Sequence, residues 1–143
     1  MFEKTLFAGW GDMDFNAHMR NTAYLDKAGD VRMLFFAEHG FPMAEFVRLR
    51  IGPVVKRDEV DYFRELGLLE AFRVRLALAG QSADGSRFLL RNDFLKEDGR
   101  PAARVTSLGG WLDLAARRLT PPPATLLDAM RAMPRTEDYL ELD

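Results

Sequence analysis

Hydrophobic and polar positions change rhythm along the chain, and each change predicts a change of element. Thr5-Leu6-Phe7-Ala8-Gly9-Trp10 is a short apolar run that predicts a first strand. It is closed by Gly11-Asp12-Met13-Asp14-Phe15-Asn16, a segment rich in turn-forming residues. From about Met19 to His39 there is no proline and only one glycine. Asn21, Tyr24, Ala28, Val31 and Phe35 recur there at alternating helical steps, the spacing of one helix face. Leu25, Leu34 and Phe36 widen that face, while Asp26, Lys27, Asp30 and Glu38 fall largely opposite. Gly40 followed by Pro42 is a stop signal. The pattern predicts one central, largely covered helix.

Beyond the helix the period shifts from 3.6 to 2. Val54 to Phe63 predicts a strand, and its charged stretch Lys56 to Glu59 points to a bend or an exposed edge. Phe72, Val74, Leu76 and Leu78 alternate with Arg73, Arg75, Ala77 and Ala79, as a half-buried strand requires. Ala83-Asp84-Gly85-Ser86 turns the chain into Phe88 to Lys96, and Glu97-Asp98-Gly99-Arg100 turns it again into Ala102 to Leu114. Two Asp-Gly turns between alternating runs predict successive antiparallel hairpins. Pro121-Pro122-Pro123 is expected to end the sheet, with a short helix over Ala124 to Met133. One long helix against a wide antiparallel sheet is a two-layer α+β domain. Such a sheet keeps an open edge, so at least a homodimer is expected.

Composition narrows the partners. The chain has 143 residues, 20 Lys+Arg against 22 Asp+Glu, a net charge of −2 and no cysteine. That length suits one domain, residues 1–143, able to build its own core. The near-balanced charge offers no general attraction for nucleic acid. No apolar run is long enough to cross a membrane. Met1-Phe2-Glu3-Lys4 carries an acid and lacks the apolar core of a signal peptide, so a cytoplasmic location is expected. Without cysteine there is no thiol catalysis and no Cys-ligated zinc.

The polar residues concentrate in one place. Gly11-Asp12-Met13-Asp14-Phe15-Asn16-Ala17-His18-Met19-Arg20-Asn21 holds two acids, two amides and one of only two histidines, where the first strand gives way to the long helix. A helix start offers unpaired N–H groups and partial positive charge, which favour an anion or a developing oxyanion. A carboxylate held there is a candidate general base or nucleophile. Asp12 reads as a turn or capping residue. His39 lies at the other end of the helix, so His18 has only Asp12 and Asp14 near it and no metal site is expected.

This stretch resembles the 4-hydroxybenzoyl-CoA thioesterase family, whose members have the hotdog fold. Gly11, Asp12, Met13, Asp14, His18, Asn21 and Tyr24 match its motif in register, and Gly110-Trp111-Leu112-Asp113 before Arg117 and Arg118 resembles its last strand and exit. The resemblance implies a long helix wrapped by an antiparallel sheet, with dimers, or dimers of dimers, whose active sites lie between subunits. It implies hydrolysis of an acyl-CoA thioester without metal or redox cofactor, coenzyme A entering only as part of the substrate. Asp14 would be nucleophile or general base, and His18 would orient it. Asn21 would support the loop or lie beside the acyl group with Tyr24. Met19, Arg20, Arg117 and Arg118 would contact substrate, the arginine pair at the coenzyme A phosphates.

Three positions depart from the family pattern: Ala17 stands where glycine is usual, Met19 where valine is usual, and Arg20 replaces an asparagine. If position 17 takes a left-handed backbone, alanine costs about 1–2 kcal/mol there. These departures keep a non-catalytic acyl-CoA- or lipid-binding hotdog protein as an alternative. A hotdog enoyl-CoA hydratase or dehydratase is a further one, although the histidine motif such enzymes use is missing.

Overall fold

In the computed structural model, which describes residues 1–143, the long helix is α1, Ala23–Glu38, and it lies in the concave face of a curled sheet. Its inner side buries Ala23, Tyr24, Ala28, Val31, Phe35 and Phe36. The face expected from the spacing is the face that packs, apart from Asn21. Asn21 precedes the helix and is exposed, because the segment from Met19 to Thr22 is irregular chain held by other bonds. The Met19 N–H donates to the Leu66 carbonyl at 2.7 Å and the Arg20 N–H to that of Asp12 at 2.8 Å. Those bonds replace a first helical turn.

Seven strands form one sheet. β1 (Phe2–Phe7), β3 (Ala71–Ser82), β4 (Arg87–Lys96), β5 (Pro101–Asp113) and β2 (Ile51–Tyr62) lie side by side in that order, all antiparallel. The first strand thus starts and ends earlier than the apolar run suggests, and Trp10–Asp12 form a 3-10 turn instead. Both Asp-Gly turns are present. Gly85 and Gly99 take φ of +76° and +86°, and the side chains of Asp84 and Asp98 accept N–H bonds from Ser86 and Arg100. The charged stretch of β2 carries both expected features: it lies at the sheet edge, and the register slips between Val55 and Arg57.

Three elements correct the one-helix, sheet-ending-at-proline expectation. α2, Met43–Leu49, follows Pro42 and places Phe46 against Trp111, with ring centroids 5.7 Å apart. The two-residue β6 (Arg118–Leu119) folds back on the end of β5. After the predicted terminal helix, α3 (Ala124–Ala132), the chain re-enters the sheet as β7 (Arg135–Leu142), parallel to the second half of β3. β1 covers Ala71 to Leu76 of β3, and β7 covers the stretch from Leu78 to Ser82. With β3 flanked this way, β2 remains as the long open edge. Its twelve residues have alternate neighbours on β5 alone.

The core is continuous from Ala8 to Met133, and its centre is aromatic. Trp111 is fully buried among Phe36, Phe46 and Phe88, with centroids at 5.5, 5.7 and 5.1 Å. Gly109 makes this packing possible, since a Cβ there would run into the Val54 carbonyl and the Phe88 ring.

Candidate active site

The loop between the 3-10 turn and α1 is fixed before its polar groups are placed. Asp12 Oδ2 accepts the Gly9 N–H at 2.8 Å and pairs with Lys27 Nζ of α1 at 3.0 Å. Burial works against that carboxylate, but the Gly9 and Lys27 contacts outweigh it and hold Asp12 below the ordinary aspartate range. Asp12 is thus the clamp between turn and helix expected of a capping residue. Met13 and Met19 bridge across the base of the loop.

Within the loop, Asp14 is bonded from both sides. Its N–H donates to the His18 carbonyl at 2.9 Å, and its Oδ1 accepts the N–H groups of Asn16 at 2.9 Å and His18 at 3.2 Å. No protein donor reaches its Oδ2. The tight turn this requires puts Ala17 at φ +65°, the left-handed conformation that the family's glycine would adopt without strain. His18 therefore orients Asp14 through its backbone. Its ring turns elsewhere, with Nε2 2.9 Å from Glu65 Oε2.

Asp14, His18, Met19, Asn21 and Tyr24 all line one cavity of about 390 Å³. Asn16 and the segment Tyr62-Phe63-Arg64-Glu65 complete its wall. Tyr24 is buried between Tyr62 and Phe94, at 5.3 and 5.2 Å between centroids. Burial first, then the nearby Tyr62 hydroxyl and acids, push its phenol up to about 12, so it stays neutral. Tyr62 is also raised by burial, and its hydroxyl donates to the Asn21 carbonyl at 2.9 Å. That bond pins the loop to the end of β2. The N–H groups of Asn21 and Thr22, at the entrance to α1, donate to no backbone carbonyl.

The three expected arginines lie outside this cavity. Arg20 folds back on its own loop: its Nη1 donates to the Gly11 carbonyl and its Nε to Thr22 Oγ1 at 3.1 Å. Arg117, at φ +58° in the turn, and Arg118, the first residue of β6, are exposed where the chain reverses against β5. The residues missed from sequence, Asn16 and Tyr62 to Glu65, have different origins. Asn16 stood inside the motif. The other four are the last residue of β2 and the three that follow it, about forty residues further on, and no local spacing signals them. No group of three or more His, Cys, Asp or Glu side chains is arranged to hold a metal ion, and no helix is long and apolar enough to cross a membrane.

Comparison with known proteins accounts for most of the chain. No curated protein matches by sequence. Among solved structures, a hypothetical protein from Staphylococcus aureus in complex with CoA superposes with a TM-score of 0.81 at 24% identity, over 94% of this chain and 87% of that one. A 1,4-dihydroxy-2-naphthoyl-CoA thioesterase from Synechocystis gives 0.82 at 14% identity, over 92% and 96%. A gentisyl-coenzyme A thioesterase gives 0.77 at 20% identity, over 90% and 98%. At these identities the likeness establishes the fold. The sequence pattern of the thioesterase-like superfamily matches residues 8–130, from the end of β1 through the Asp14 loop, α1 and the sheet into α3. With that span matched on this architecture, the chain belongs to the thioesterase-like superfamily, the hotdog-fold thioester hydrolases.

Proposed function

We propose that the protein hydrolyses an acyl-CoA thioester to the free acid and coenzyme A, with Asp14 as the group that activates or delivers the attack. The observation that carries this is the state of the Asp14 carboxylate. One oxygen is held by two backbone N–H groups, and the other has no protein partner, in a cavity beside the start of α1. A carboxylate fixed at one oxygen and free at the other suits two chemistries. As general base, Oδ2 takes a proton from water while the water oxygen bonds to the thioester carbon. The tetrahedral intermediate then expels the thiol, which recovers the proton. As nucleophile, Oδ2 bonds to that carbon directly, expels the thiolate and leaves an anhydride that water opens. In either course the carbonyl oxygen becomes negative. The unpaired N–H groups of Asn21 and Thr22 at the helix entrance suit that charge. No cofactor enters the scheme.

The working unit we infer is a dimer joined through β2. An exposed twelve-residue edge strand invites pairing with a second copy. Phe15, at 99% exposure within the catalytic loop, has no partner in the single chain. Asp14→Asn is the direct test. Asparagine retains an oxygen for the N–H groups of Asn16 and His18, so the loop and the melting temperature should hold. Thiol release from an acyl-CoA panel should fall by about 10²–10⁴-fold. A variant as active as its parent would remove Asp14 from the chemistry.

One observation favours a second reading. The His18–Glu65 pair is the kind of histidine–acid couple a hydratase or dehydratase uses, and it lines the same cavity. Addition of solvent water to an enoyl-CoA, lost in His18→Ala and kept in Asp14→Asn, would establish it.

A further inference from the structure

The chain between β2 and β3, from Phe63 to Glu70, forms neither helix nor strand. β5 and β4 lie between β2 and β3 in the sheet, so this segment has to cross the ends of both. Its shape therefore rests on bonds from outside it. At its start the N–H groups of Phe63 and Arg64 both donate to the Ala102 carbonyl, at 2.8 and 3.0 Å. At its end the Leu69 N–H donates to the Ala8 carbonyl at 2.7 Å, and the Ala8 N–H to that of Glu70 at 3.1 Å. Its middle is gathered by a side chain from β4.

That side chain is Lys96, the last residue of β4. Its Nζ donates to the Glu65 carbonyl and pairs with Glu70 Oε2, each at 2.8 Å. Glu70 Oε1 in turn accepts the Gly67 N–H at 3.0 Å. The Lys96 side chain is only 19% exposed, so salt screens this pair less than a surface one. Burial works against the Glu70 carboxylate, but the bonds from Lys96 and Gly67 outweigh it and hold it below the ordinary glutamate range. One ammonium thus ties Glu65, Gly67 and Glu70 together. Lys96 itself does not line the Asp14 cavity.

Two of the bonds that fix the entrance to α1 come from the stretch this strut holds. The Met19 N–H donates to the carbonyl of the fully buried Leu66, next to Glu65, at 2.7 Å. Tyr62, just before the segment, donates its hydroxyl to the Asn21 carbonyl. The N–H groups of Asn21 and Thr22 lie directly after Met19 and Arg20 and donate to no backbone carbonyl. Such donors stabilise a developing oxyanion only if they are in place before the charge forms.

We propose that Lys96 is a positioning residue for the hydrolysis: by fixing the Glu65 carbonyl and Glu70 it sets the place of Leu66, and through the Leu66–Met19 bond it aims the free N–H groups at the entrance to α1. The inference rests on the proposed acyl-CoA chemistry at Asp14. Lys96 acts on the transition state through the backbone it holds, without touching substrate, so its loss should be read in kcat.

Lys96→Met, followed by steady-state kinetics on an acyl-CoA panel and by native-state hydrogen exchange, tests this. Its kcat should fall by about 10–100-fold with KM changed less than about twofold, the scale expected when reacting groups are misplaced by up to an ångström. The Met19 amide should exchange severalfold faster, while the amides in the middle of α1 keep their rates. Lys96→Arg, which keeps a cation able to reach both oxygens, should recover most of kcat. Lys4→Met breaks an ion pair with Glu38 at the other end of α1 and should leave kcat unchanged. If Lys96→Met does not fold, Glu70→Gln carries the comparison. Its amide oxygen still accepts the Gly67 N–H and only the pair with Lys96 is lost, so kcat should fall severalfold. An unchanged kcat in the folded variant would overturn the proposal. So would a rise in KM in place of a fall in kcat, an unaltered Met19 amide, or a uniform quickening of exchange that marks lost stability alone. If the parent hydrolyses no thioester while Lys96→Met still frees the Met19 amide, the positioning of the α1 entrance stands and the hydrolase reading fails. Asp14-dependent hydrolysis that Lys96→Met leaves untouched has the opposite meaning.

Discussion

Ala17→Gly should stabilise this protein, an unusual direction for a substitution inside the loop proposed to carry the catalytic carboxylate. Ala17 holds φ at +65° because Asp14 Oδ1 gathers the N–H groups of Asn16 and His18, and the chain between them has to reverse. An L-residue with a Cβ pays about 1–2 kcal/mol for that conformation. Glycine removes this strain but gives the unfolded chain more freedom, which takes back about 0.4–1 kcal/mol. Ala17 is exposed, so removing its methyl group leaves no cavity. The net gain is centred near about 0.8 kcal/mol, a rise of about 3 °C in melting temperature for a chain of this size. Differential scanning calorimetry of parent and variant at neutral pH reads it directly. A fall in melting temperature would mean that the strain is absent in solution and that the loop does not bond Asp14 as described. Activity supplies a second reading of the same substitution. If alanine stiffens the turn that aims Asp14, Ala17→Gly should lower kcat severalfold while leaving KM nearly unchanged.

Other outcomes follow from the same geometry. Glu65→Gln removes an exposed pair, so stability should change by less than about 0.5 kcal/mol. Its kcat for thioester hydrolysis should fall less than tenfold, and a larger loss in a rate assay would assign proton transfer to the His18 pair. Deleting residues 134–143 uncovers the edge of β3 from Leu78 to Ser82, so chromatography should show larger assemblies or aggregation, and an unchanged elution volume would count against β7 as an edge cover. Asp138, bonded by Arg91, is depressed from its ordinary 3.8 to about 2. A depressed carboxylate stabilises the fold above its unfolded pKa and loses that effect as pH falls through the folded value. Protease sensitivity of β7 should therefore rise as pH falls from about 4 to 2, and Asp138→Asn should remove that pH dependence. Sedimentation should give twice the chain mass, and a monomer at working concentration would refute pairing through β2.

What could be read from the sequence follows from how far each interaction reaches along the chain. α1 and the two Asp-Gly hairpins are written in local periodicity and turn chemistry, and all three formed, the helix with a later start than its spacing suggests. α2 and β7 were not visible, for different reasons. Met43–Leu49 is too short to display a period, and it is a helix because Phe46 finds Trp111 some 65 residues later. Arg135–Leu142 shows little apolar alternation because only Thr136, Tyr139 and Leu142 are partly covered. It is a strand because β1 stops at Leu76's partner and leaves the rest of β3 unpaired.

The candidate site divides along the same line. Asp14, His18, Asn21 and Tyr24 lie within eleven residues, so a motif could place them together. The wall opposite comes from Tyr62 to Glu65, and only folding brings it there. The helix start is the instructive error. Periodicity included Asn21 on the inner face of α1, as an extra polar residue in an apolar stripe. In the structure the helix begins two residues later, and Tyr62 takes the Asn21 carbonyl that a helix would have used. The polar break in the stripe was the boundary itself, and the N–H groups it leaves unpaired are those to which the proposed mechanism gives the developing oxyanion. Tyr62→Phe therefore probes the site without touching Asp14. Loss of its hydroxyl bond should loosen the entrance to α1 and lower kcat more than it raises KM. If kcat is unchanged, that entrance takes no part in stabilising the transition state.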